Sequence, residues 1–411
     1  MSVTSPLTDR SGSDPFASDP IEAQLGPRAP SHPILTANPD SPAPVGDPTG
    51  QRSVPILSVI VAAHLRQEYI VDAVRSVVGS GLAPEHLDIV VTKGYRSPEQ
   101  DEVLRKLGAR VYFDYDVGVG LQLWRALPLT RAPLIAFLDD DDQFEPTRLD
   151  HVIGVFRDHP DIGFYHNRLN LIDLDGHSVS PTMYGAMERD AGLDRTGPLT
   201  RLSGKNPSDA RVLRRLHPWF NTSSMVIRRD VLMGRFGQFL ETAHHAPDVR
   251  LFLIAILSGT GIYMDDRRLT RYRTSAPTWQ NQARRALDDL TSVDRTCQLA
   301  ERFAERPWVP QFRKILLEAQ KRSLWADFVS RLDRSQPRAS VMAALTRYLR
   351  FLIYHPRAIS SEPSRLFYLA CFATYLVAPS SGSAILSKAL ATSSINRSKR
   401  RTGREDTPPV R

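Results

Sequence analysis

Cysteine is scarce in this chain, with only Cys297 and Cys371 among 411 residues. Two thiols so far apart supply neither a disulfide framework nor a thiolate metal site, and such usage fits a reducing compartment. Long apolar runs are missing as well, since no window approaches the roughly 18 uninterrupted apolar residues that cross a bilayer. The first residues lack the short basic stretch and apolar core of a secretory leader. The expectation is a cytoplasmic protein, soluble or peripheral at the inner face of the membrane. An acidic excess is absent too, because Lys and Arg number 53 against 45 Asp and Glu, a net charge of +8. That sign favours anionic partners such as nucleotides and phospholipid headgroups. Nucleic acid is set aside, as the basic residues are not interleaved with aromatics in a recognition pattern.

Proline is concentrated at one end, with ten of 31 in the first 52 residues among Ser, Asp and Gly. Residues 1–52 therefore read as a disordered leader that buries too little apolar surface to offset its ordering entropy. Order is expected from residue 53. Ile56 to Ala63 is a short β-branched run suited to a strand buried on both faces, and Tyr69 to Val78 follows with helical spacing at Ile70, Val74 and Val77. Second and third strands are expected at Leu87 to Val91 and Ala109 to Phe113, with helices at Pro98 to Leu107 and Leu121 to Leu127. The run Pro133 to Leu138 then leads straight into four aspartates, Asp139 to Asp142. Such alternation predicts an α/β fold, a mostly parallel Rossmann-like sheet flanked by helices, with ligands bound beyond the carboxyl ends of its strands.

Further along, the pattern is mixed: a helix over Arg148 to His159, a strand over Ile162 to Asn167, a loop from Asp173 to Pro207 and a strand at Thr222 to Ile227. Residues 282–392 read as helical, with Phe312, Ile315, Leu316 and Ala319 on one face and Leu345, Tyr348, Leu349 and Leu352 on another. Residues 393–411 form a basic, disordered tail. Basic residues flanking the apolar C-terminal helices fit either peripheral membrane contact or a packed helical lid or dimer surface.

Four carboxylates at the end of a buried strand repel one another unless a cation or a dense set of donors balances them. Oxygen-only ligation suits Mg²⁺ or Mn²⁺, which complete their shell with waters and substrate phosphates. A solvated acidic turn is the competing explanation.

The stretch from Leu57 to about Asn281 resembles the family 2 glycosyltransferases of GT-A fold. The likeness rests on Tyr69 to Val78, which matches the family's first helix, and on Phe137-Leu138-Asp139-Asp140-Asp141-Asp142 with Pro146 and Leu149, which matches its metal-site motif in register. The resemblance implies a GT-A domain over residues 53–281 that moves a sugar from a nucleotide-sugar donor to a hydroxyl acceptor, glycan or lipid-linked, with inversion. It implies that Asp141 ligates the metal, and that Asp139 shares the ion or lies against the ribose beside Asp140. Ala62 and His64 stand where the family contacts the base, and Lys93 stands where it carries paired aspartates, so Lys93 is a candidate phosphate contact. Arg271 and Arg273 lie on a strand from which a basic residue reaches the diphosphate. Asp248, at a helix start, is the candidate catalytic base; a helix cap is its structural alternative. Trp219 and His245 are candidate acceptor contacts, although an aromatic at a strand start is also a common core residue. Because Ala63, Leu65, Thr92 and Lys93 depart from the family pattern, a degenerate binding or assembly module is the second functional reading.

Overall fold

A computed structural model describes residues 36–37, 54–63, 67–115, 118–179, 200–202, 218–243, 247–274, 295–306, 309–330 and 338–355. The chain divides into two compact units, 1–276 with 295–313, and 277–294 with 314–411. Most of the leader, the 393–411 tail, His64 and His245 lie outside the described residues.

The first unit is built on strands β1 (Thr36–Ala37), β2 (Leu57–Ala63), β3 (Leu87–Lys93), β4 (Ala109–Phe113), β5 (Leu134–Asp139), β6 (Gln143–Phe144), β7 (Ile162–Ile172), β8 (Thr200–Leu202), β9 (Met225–Arg228) and β10 (Gly261–Arg273). They form one sheet in the order β1-β4-β3-β2-β5-β9-β7-β10-β6, with β8 on β10. Its helices are α1 (Ile70–Val78), α2 (Pro98–Lys106), α3 (Val119–Ala126), α4 (Arg148–Asp158), α5 (Arg229–Met233) and α6 (Pro247–Leu257).

The β-branched content of β2 explains its place at the middle of the parallel half, where all seven of its residues are buried. Side chains alternate across a strand, so Leu57, Val59, Val61 and Ala63 share one face and join Ile70, Ala73, Val74 and Val77 of α1 in the main core. Each fully buried Val or Leu there stabilises the fold by about 1.5–3 kcal/mol. Strands β4, β3, β2 and β5 are parallel, and β5 lies on the opposite side of β2 from β3. The carboxyl ends of β2 and β5 therefore bracket the point where strand order reverses, the place where open α/β sheets bind ligands.

Beyond β5 the sheet departs from the mostly parallel expectation. Strand β9 is antiparallel to both β5 and β7, β10 is parallel to β7 but antiparallel to β6 and β8, and the sheet is mixed. Two details differ locally from the sequence reading. Thr36–Ala37, inside the leader, adds an antiparallel edge to β4, and Thr222–Ser224 is a 3-10 turn ahead of the strand. The turn forms because the Asn221 side chain takes the Ser223 amide, closing the backbone before it can extend.

In the second unit, the described residues belong to helices α7 (Val309–Ser330), whose first turn starts in the first unit, and α8 (Arg338–Tyr354). Leu324, Phe328, Val341, Ala344, Leu345 and Phe351 are buried there, and Arg347 pairs with buried Asp327 at 2.6 Å. Among the described residues no helix is long and apolar enough to cross a membrane.

Candidate active site

Strand β5 delivers the acidic run to the switch point. Asp139 is its last residue and sits in register with Ala62 of β2. Asp139 is half-buried, while Asp140, Asp141 and Asp142 are buried. The tight turn after the strand is closed by the Asp142 amide donating to the Asp139 carbonyl at 3.2 Å.

Asp142 anchors the site. One of its oxygens accepts from the Ser223 hydroxyl at 2.6 Å and the Asn221 side-chain amide at 3.1 Å, and the other accepts from the Arg273 backbone N–H at 2.9 Å. Burial, followed by the charge of Asp141, pushes its carboxyl up to about 7 against the pull of those hydrogen bonds. The Ser223 hydroxyl also accepts from the Asp139 amide at 3.0 Å. The turn before β9 thus holds both ends of the acidic run.

The same turn reaches the candidate base. Asp248, in the first turn of α6, accepts from the Asn221 backbone N–H at 3.1 Å through one oxygen and from the Val249 amide at 2.8 Å through the other. Asn221 therefore touches Asp142 with its side chain and Asp248 with its backbone, at a positive φ of 68°. The sequence reading did not single out Asn221 or Ser223. The readable signal was an Asn two residues before a Ser at a strand start, the pattern of an Asx turn.

The remaining candidates separate. Lys93 is fully buried and donates to Asp101 at 2.6 Å and Gln100 at 2.9 Å, over the Tyr95 ring. Desolvation lowers its pKa despite the pairing with Asp101. A lysine enclosed in this way is held within α2 and β3, and the phosphate contact expected of it is not reproduced. Arg273 is buried likewise: its guanidinium donates to the carbonyls of Asp141, Asp173 and Leu174 and lies 4.2 Å over the Tyr69 ring. It clamps the acidic turn to the end of β7. Arg271 is half-buried and donates to the Gly176 carbonyl at 2.6 Å. Trp219 packs against Phe252 of α6 and Phe312 of α7, with ring centroids at 5.8 and 5.5 Å, which is the core arrangement of such an aromatic.

Asp142 is taken up by the scaffold, and burial raises its proton affinity. Asp139 and Asp141 beside it at the strand end carry oxygen donors only. An oxygen-only donor set of this kind fits Mg²⁺ or Mn²⁺. Among the described residues, the group of three ligand-bearing side chains within 4.8 Å of one another lies elsewhere, at Asp173, Asp175 and His177. In that group Asp173 already accepts the Asp175 and His177 amides.

Comparison with known proteins gives a match of residues 58–235 to the family model described as Glycosyl transferase family 2. No curated protein matches the chain. Among solved structures it is similar to S. aureus TarS 1–349 in complex with UDP-GlcNAc, at 12% identity over 72% of this chain and 89% of that one, with a TM-score of 0.42. It is also similar to the mannosyltransferase PcManGT from Pyrobaculum calidifontis in complex with GDP-Man and Mn²⁺, at 16% identity over 86% and 90% of the two chains, with a TM-score of 0.45. At TM-scores below 0.5, neither likeness adds weight to the family match.

Proposed function

The chain belongs, through residues 58–235, to glycosyl transferase family 2, and from that premise we propose that it transfers a sugar, with inversion, from a nucleotide-sugar donor to a hydroxyl of a glycan or lipid-linked acceptor. The observation that carries the proposal is Asn221, which joins the carboxylate run at the end of β5 to Asp248 at the start of α6. Two carboxylate centres facing one strand-order reversal are what the reaction needs, one for the donor and one for the acceptor.

Asp248 is the base. Its two oxygens accept from Asn221 and Val249, which fixes its orientation for taking the acceptor proton as the hydroxyl oxygen attacks the anomeric carbon. Asp139 and Asp141 would hold Mg²⁺ or Mn²⁺ at the donor, where the ion would supply Lewis-acid stabilisation to the departing diphosphate. Ala62, in register with Asp139 on β2, would border the nucleoside beside Asp140, and Arg271 on β10 is the candidate diphosphate contact. The parallel half of the sheet forms the donor side, and the turn before β9 with α6 forms the acceptor side.

Asp141→Asn tests the reading. Transfer and donor hydrolysis should depend on added divalent cation in the wild type and fall by about 10² or more in the variant, while the folded state survives by circular dichroism. A fully active Asp141→Asn protein rejects the assignment. The rival reading, a binding module without catalysis, predicts cation-dependent thermal stabilisation by a nucleotide sugar with no turnover by either protein.

A further inference from the structure

Arg250 sits two residues along α6 from Asp248 and is fully buried. Its NH1 reaches the Thr242 hydroxyl at 3.5 Å, while its Nε and NH2 have no hydrogen-bond partner. Thr242 lines an open cavity of about 470 Å³ together with Arg295, Gln298, Leu299 and Arg302. Arg295 turns to the same threonine, with NH1 at 3.5 Å from its carbonyl. Burial, and then the charge of Arg295, press the Arg250 guanidinium down to about 10. No described carboxylate pairs with Arg250, Arg295 or Arg302.

A guanidinium stays charged even when buried, and an unpaired buried charge costs several kcal/mol. Arg295, exposed on the cavity wall, adds like-charge repulsion to Arg250, and Arg302 lines the same wall. An anion with several acceptor oxygens relieves both costs, and the guanidinium fork matches phosphate oxygens. Neutral hydroxyls do not, because they bring no charge. The cavity is larger than a phosphate and accommodates an attached polyol or sugar, since ligand sites run to about 300–1,000 Å³.

We propose that this cavity binds a phosphate ester carried by the acceptor, with Arg250 behind Thr242 and Arg295 and Arg302 at the mouth. Assignment of the phosphate to the acceptor rests on the reading of Asp248 given above, whereas the anion site itself does not. The substrate class is therefore a phosphorylated acceptor whose hydroxyl is presented to Asp248 while its phosphate is held at the cavity.

The test uses the full chain in EDTA, which empties the cation-dependent donor site, with glycerol 3-phosphate as the probe. Wild type and Asp141→Asn should both be stabilised thermally in a concentration-dependent way, with no response to glycerol or to chloride at matched ionic strength. Arg295→Gln combined with Arg302→Gln, both at exposed positions, should weaken the apparent affinity about tenfold or more, as expected for loss of charge-assisted contacts. Equal responses in wild type and double variant, or an equal response to chloride, overturn the site. Binding to phosphatidic acid vesicles without a glycerol 3-phosphate response, abolished in the double variant, assigns the phosphate to a lipid-borne acceptor. An arginine-dependent phosphate response, together with a transfer rate that is the same for phosphorylated and unphosphorylated acceptors, keeps the anion site and overturns its acceptor role.

Discussion

Asn221 is held from three directions. Its side chain donates to Asp142 and accepts from Ser223, its amide donates to Asp248, and the price is a φ of 68°, a region glycine enters freely and other residues enter at about 1–3 kcal/mol. Asn221→Ala should therefore lose both the side-chain bonds and the tolerance of that backbone, destabilising the fold by about 2–4 kcal/mol and reducing transfer. Asn221→Gly should be the milder variant in denaturant melts, because it restores the backbone alone. If the alanine variant proves the more stable of the two, the account of this turn is wrong. The carboxylates of the run were legible in the sequence because four charges after a buried strand have few ways to exist. Asn221 was not, because its importance lies in partners 79 and 27 residues away, in the turn after β5 and on α6. Lys93 shows the opposite error: a cation at a strand end reads as a ligand contact until Asp101 is seen to enclose it.

At the level of elements, the parallel half was readable since its strands are short runs rich in apolar residues and each helix follows after a polar or Gly-containing break. In the second half the strands at Ile162 to Asn167 and Thr222 to Ile227 were read but their pairing was not, because β9 is four residues long and antiparallel on both sides, and short antiparallel strands leave no crossover helix to mark them. Helix α3 illustrates how closely the segment leading to α6 is packed. A Cβ placed on Gly120 would lie 2.0 Å from the Ala243 carbonyl oxygen, at the end of the 3-10 turn Gly237–Thr242 that leads towards α6. Gly120→Ala should cost about 1–3 kcal/mol in stability, measured by urea melts, and should raise the acceptor KM more than the donor KM. An unchanged melt would show that the two elements have slack the geometry denies them.

For the molecule as a whole, the pH dependence of stability has an identifiable source in His166. The ring is buried on β7 with Nε2 donating to the Phe220 carbonyl at 2.7 Å, and burial followed by the charge of Arg148 lowers its pKa from 6.5 to about 4. The imidazole is neutral in both folded and unfolded chains above 6.5, so it adds no slope there. Between about 6.5 and 4 the unfolded chain takes up a proton that the folded one refuses, so the His166 contribution to stability falls as pH falls, by about 3 kcal/mol in total, while the raised Asp142 carboxyl, which the folded chain protonates first, works in the opposite direction over the same window. His166→Gln, which keeps a donor for Phe220, should flatten that limb of a stability-against-pH curve; an unaltered curve would place the dependence elsewhere. The residue after Phe220 is Asn221, and its reach to both carboxylates has a consequence for anyone who recombines this protein with its kin. A chimera that exchanges the short turn of residues 221–224 for one without that asparagine's backbone bend, while keeping α6, should be left with an acid that nothing aims, and sugar should stop moving even though each half still recognised its own ligand.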